Sequence, residues 1–127
     1  MRRLILVSVS LVLAACGGSP TYPNSGGAGS VTTVSILSSG VSTTQMNVTP
    51  GTRVTFINND TRSHNMTSDP HPEHNECPEI NAVGLLQPGQ SRETGNLNTV
   101  RTCGFHDHDD PPPSGGTNRW TGKITIR

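Results

Sequence analysis

All five histidines of this 127-residue chain, His64, His71, His74, His106 and His108, lie between positions 64 and 108, and Cys77 and Cys103 lie there with them. Imidazole and thiolate are the donors that copper and zinc take from proteins, so the cluster is a candidate metal site. Spacing decides which of these side chains can meet. In the stretch "TCGFHDHDD", residues 102–110, His106 and His108 are two apart and project to one face of an extended chain. Cys103 and His106 are an odd number apart, so they reach one metal only if the chain turns after Cys103. The same cysteine has a competing use, because Cys77 and Cys103 make an even pair that an oxidising compartment would join as a disulfide. Thiolate ligand and half-cystine are mutually exclusive roles for Cys103.

The first residues bear on the compartment. "MRR" is a positively charged start, "LILVSVSLVLA" is an apolar run too short to span a bilayer, and "LAAC" sets small residues before Cys16. The pattern resembles a bacterial lipoprotein signal, which implies a signal peptide over 1–15, cleavage before Cys16 and lipid on its sulfur. Gly17, in place of aspartate, favours the outer membrane by resemblance to Gram-negative sorting rules. The expected location is therefore the cell envelope, lipid-anchored on the periplasmic or outer-membrane side. "GGSPTYPNSGGAGS" has almost nothing apolar and, with Cys16, makes a flexible tether over 16–30.

The remainder, 31–127, has the length of one domain. Arg2 and Arg3 are two of the nine Lys plus Arg, which leaves seven against nine Asp plus Glu. No basic patch fits nucleic acid as a partner. Two Phe, one Trp and one Tyr make the core aliphatic and thin, so a crosslink or a metal would help to hold it.

The elements that must position the histidines are strands. Val34 and Ile36, Met46 and Val48, Val54 and Phe56 are apolar pairs, each split by one polar residue. Between the last two pairs "TPGT" has turn chemistry, which predicts neighbouring strands over 44–49 and 53–58. A second such turn, "QPGQ", precedes "SRETGNLNTVRTC", and in "WTGKITIR" Trp120, Gly122, Ile124 and Ile126 share one face of a last strand. Helical periodicity of useful length is absent, and short strands with frequent turns predict a small antiparallel sandwich or barrel. Two Pro-rich polar stretches, 68–81 and 107–116, resist strand assignment and read as loops on the sheet scaffold.

"MNVTPGTRVTFINNDTRSHNM", then "LLQPGQSRETGNLNTVRTCGFH", then "WTGKITI" resembles the cupredoxins, the blue copper proteins of plastocyanin type, in the order of its parts over roughly 44–127. The resemblance implies an all-β fold, a small Greek-key β-sandwich or barrel of cupredoxin type, with one copper ion per domain. It implies His64 and His106 as imidazole ligands, Cys103 as the thiolate, and Asn65 as the neighbour whose side chain ties the ligand loops together. Electrons would pass through His106 to or from a partner outside the cytoplasm. The chain departs from the family in three places. No methionine follows His106, so an axial position falls to water, a backbone carbonyl, His108 or Asp107. The strand before Cys103 lacks the usual tyrosine. Cys77 stands at the spacing where the phytocyanins keep a structural half-cystine.

Two functions follow as expectations. One is a copper-binding lipoprotein that carries electrons through a His2Cys site to a redox partner. The other is a non-redox copper-handling protein that exchanges copper with a donor or acceptor. It would have a Cys77–Cys103 disulfide and a nitrogen or nitrogen–oxygen site from His64, His106 and His108, of the kind that suits Cu(II) without blue colour. A metal-free interaction module is the plainest third reading. His71 and His74, in "DPHPEH", read first as solvated surface and otherwise as a second metal clamp or an extension of the first, and "DHDD" reads as a polar loop. "GFH-x-H" echoes copper–zinc superoxide dismutase, but no histidine follows His108. No nucleophile–base pair, phosphate loop or carboxylate dyad is present, so the chain is not expected to be an enzyme.

Overall fold

The computed structural model describes residues 32–113 and 116–127. The expected signal peptide, Cys16 and the tether lie outside them. Among the described residues the apolar alternation becomes nine strands: β1 (Thr33–Leu37), β2 (Gly40–Val41), β3 (Gln45–Val48), β4 (Thr55–Asn58), β5 (His64–Ser68), β6 (Gly84–Leu86), β7 (Ser91–Glu93), β8 (Arg101–Asp107) and β9 (Gly122–Ile126). A 3-10 helix, Pro78–Ala82, follows the first histidine loop. The strands form two sheets, ordered β2-β1-β4-β7 and β3-β9-β8-β5-β6. Val34, Ile36 and Phe56 from the first face Met46, Val48, Met66, Phe105, Ile124 and Ile126 from the second, all buried. Phe56 meets Phe105 edge to face across the core at 5.2 Å.

Both Pro-Gly turns do something other than the hairpin expected of "TPGT". β3 pairs in parallel with β9, and β4 in parallel with β1, so the turn between β3 and β4 carries the chain from one sheet to the other. Gly51, at φ 89°, supplies the left-handed conformation there, and its N–H donates to Leu97 O at 2.9 Å. "QPGQ" makes the same crossing between β6 and β7, with Gly89 at φ 79°. Alternation fixes which side of a strand is buried and leaves its partner open. Crossing the sandwich keeps Val48 and Phe56 in one core as well as a hairpin would. The sheets are accordingly mixed, where an antiparallel sandwich was expected.

For the histidines the decisive element is β8. It runs unbroken from Arg101 to Asp107 through both Cys103 and His106, so the turn that would let those two side chains converge is absent.

Candidate metal centre

Strand parity sorts the chemistry to two faces of the five-stranded sheet. Cys103, Phe105 and Asp107 point inward with His64, Met66 and Ser68 of β5, all buried. Thr67 and His106 are directly opposed on β5 and β8 and point outward, as does Gly104. His64 and His106 therefore stand on opposite sides of one sheet and do not converge.

On the outer face, loop 69–77 covers β8. Asp69 N–H donates to Gly104 O at 3.0 Å, and Gly104 N–H donates to Glu76 Oε2 at 2.7 Å. The Asp69 carboxylate lies where a Cβ on residue 104 would stand, so the loop sits this close only because Gly104 has no side chain. This docking brings His71 and His74 of the loop to His106 and His108. One ring nitrogen from each lies within 4.8 Å of the others. Ring centroids are 4.9 Å apart for His74 and His108, 5.1 Å for His74 and His106, and 5.2 Å for His71 and His108.

Two of the four rings are held from behind, and a third, His108, is held through its main chain. His106 Nδ1 meets Asp69 Oδ1 at 2.5 Å and His74 Nδ1 meets Ser68 O at 2.8 Å. Each contact fixes Nδ1 as the protonated nitrogen and leaves Nε2 with the lone pair, facing the Thr67 hydroxyl at 3.4 Å in His106, the outer-shell arrangement that orients metal ligands. His74 Nε2 lies 3.0 Å from His108 Nδ1, and the His108 main chain is pinned by its N–H to Asn65 O at 2.7 Å. Burial holds the His106 pKa below its ordinary value, against the upward pull of Asp69, while His74 and His71 push it further down. The ring is thus kept neutral, the form a metal binds. Four converging imidazole nitrogens with these supports fit a borderline metal such as copper or zinc. Asp69→Ala is expected to weaken metal affinity by about 10–100-fold, because the His106 ring loses its orienting partner; competition against a chromophoric chelator measures it.

Two of the expected ligands do not belong to this group. Cys103 is bonded to Cys77, with S–S 1.97 Å and Cα atoms 5.7 Å apart, so its sulfur is not a thiolate, and it points into the core. His64 is buried on the inner face between two carboxylates, Nδ1 at 2.7 Å from Asp107 Oδ2 and Nε2 at 3.0 Å from Asp60 Oδ2. The Trp120 ring lies 5.3 Å away. Asp107, once a candidate for an axial position, also points inward, where its Oδ1 accepts the Asn65 N–H at 3.0 Å. Asn65 does tie the two ligand-bearing segments, through its main chain. His106 and His108 stay in the cluster, joined by His71 and His74, for which the sequence favoured solvated surface over an extension of the site.

Among solved structures the chain is similar to cupredoxins, and its fold is the cupredoxin fold. A copper(I) form of an amicyanin variant matches at TM-score 0.57 and 18% identity, over 75% of this chain and 80% of that one. A reduced copper(I) amicyanin variant at pH 4 matches at 0.58 and 19%, over 78% and 83%. A purple cupredoxin from Nitrosopumilus maritimus matches at 0.53 and 18%, over 75% and 98%. No protein-family model matches the chain, and no curated protein does.

Proposed function

We propose that this protein is a copper-handling domain of cupredoxin fold that holds one copper ion through His71, His74, His106 and His108 and exchanges it with a protein partner in the cell envelope. The observation that carries this reading is the convergence of four imidazole nitrogens on the outer face of β5 and β8, while both cysteines among the described residues, Cys77 and Cys103, are half-cystines. The copper(I) forms of amicyanin variants on the same fold support the choice of metal. A bound copper ion would supply a one-electron couple. Structures of oxidised and copper(I) amicyanin variants exist on this fold, which favours electron transfer to a redox partner as the second reading. In either case the protein acts as a carrier and not as a catalyst. The Cys16 motif supports a lipid anchor, and the mass of the N-terminal peptide tests it.

Copper titration of the metal-free protein tests the site. The expected result is one ion per chain with a nitrogen-rich Cu(II) spectrum and no intense thiolate band, lost in His74→Ala and in His106→Ala. Undiminished binding in both variants, or an intense blue band, overturns the assignment. Voltammetry of the loaded protein separates the two readings, since a reversible couple supports electron transfer.

A further inference from the structure

The four rings are not held alike. His106 is buried in the β8 ladder and bonded to Asp69. His74 is fixed three times over: its ring by Ser68 O, its N–H to Pro70 O at 2.7 Å, and its own carbonyl by Asn81 Nδ2 at 2.8 Å. That amide also takes the Ser68 N–H on its oxygen at 2.9 Å, so His74 is clamped between the end of β5 and the 3-10 helix. His108 is half-buried and tied to Asn65. His71 is the exposed member. Its ring stacks against the other imidazoles, 5.4 Å from His74, 5.7 Å from His106 and 5.2 Å from His108, and among the described residues no carboxylate, carbonyl or hydroxyl orients it by a hydrogen bond.

A ligand with an outer-shell partner keeps its direction when its bond to the metal breaks and returns to it readily. A ligand with none rotates into solvent and is replaced. We propose that His71 is the exchangeable ligand and marks the side from which a copper acceptor approaches, while His74, His106 and His108 retain the ion until transfer is complete. The inference rests on the copper reading above. The step is a ligand substitution at constant oxidation state: the coordinate bond from the His71 nitrogen breaks, one from an imidazole, thioether or thiolate of the acceptor forms, and the freed His71 nitrogen returns to water. The buried His106 cannot serve as the door, because Asp69 and loop 69–77 lie over its strand.

The experiment is the rate of copper removal from the loaded full chain by a soluble chelator, measured for wild type, His71→Ala and His108→Ala. Far-UV spectra of the metal-free variants confirm folding. His71→Ala is expected to keep one copper per chain and to release it at least about tenfold faster, with free imidazole binding at the opened position, shifting the Cu(II) spectrum and slowing release. Wild type should respond only at much higher imidazole concentration, where the free ligand displaces His71, and His108→Ala should fail to hold copper at the same chelator concentration. If His71→Ala releases copper at the wild-type rate, or loses it as completely as His108→Ala, the inference is overturned while the four-histidine site stands. Wild-type protein that takes up no copper overturns the functional reading and this inference together.

Discussion

Replacing Cys77 and Cys103 together by alanine is expected to lower the stability of the domain by about 3.5 kcal/mol, the chain-entropy value for a bridge of this span, the two cysteines being 26 positions apart. Both sulfurs are fully buried in the apolar core, so lost packing adds to the effect. Chemical denaturation of the metal-free protein measures it. A second consequence is specific to the site. The bridge joins the segment carrying His71 and His74 to the strand carrying His106 and His108, and it stands three residues from His74 on one side and three from His106 on the other. Without it, the contacts that hold loop 69–77 on β8 among the described residues are hydrogen bonds of Asp69 and Glu76 and the ring contacts of His71 and His74 with His106, with the Arg101–Glu79 ion pair at 2.7 Å just beyond the loop. Copper affinity should fall along with stability, and no blue band should appear in Cys77→Ala alone, although Cys103 is then a free thiol. Parity keeps that thiol on the face opposite His106. An intense blue band in Cys77→Ala would show that β8 can turn at Cys103 after all.

The same parity explains how much of the site was legible in the sequence. His106 and His108, two apart, could be assigned to one face from spacing alone, and both are in the cluster. The odd step from Cys103 to His106 already demanded a turn, and β8 has none. Loop 69–77 lacks any period, so where it lies could not be read from pattern. Yet Cys77 carried the signal: a bridge from Cys77 to Cys103 necessarily brings the adjacent His71 and His74 towards His106. Besides removing the thiolate and holding the thin core, the disulfide assembles a different set of ligands. Strand positions and the apolar faces were likewise evident in the pairs Val34/Ile36 and Met46/Val48. Sheet membership was not, since a Pro-Gly turn that crosses between sheets leaves the same trace as one that closes a hairpin.

His64→Ala separates the two accounts of the site most cleanly. Were His64 a ligand, its loss would abolish copper binding. On the geometry found, His64→Ala should keep stoichiometric copper, because its ring lies on the inner face, and should instead destabilise the fold. The His64 ring is wholly buried and the Asp107 carboxylate nearly so. Removing one partner of such a pair leaves a buried carboxylate oxygen without its donor, a loss of about 3–5 kcal/mol. Asp107 retains only the N–H groups of Asn65 and Asp109, both on its other oxygen. The pH dependence supplies an independent check through Asp60. The hydrogen bond from His64 and then that from Thr61 N–H hold the Asp60 pKa below its ordinary value. A depressed carboxylate stabilises the fold above its unfolded pKa, and that contribution is lost as pH falls through the folded value. In His64→Ala the main cause of the depression is gone. The stability difference between wild type and variant should therefore be full near neutrality and narrow as pH drops below the usual carboxylate range. A difference that persists unchanged in acid would remove Asp60 from the account and leave Asp107 as the sole partner whose loss is felt.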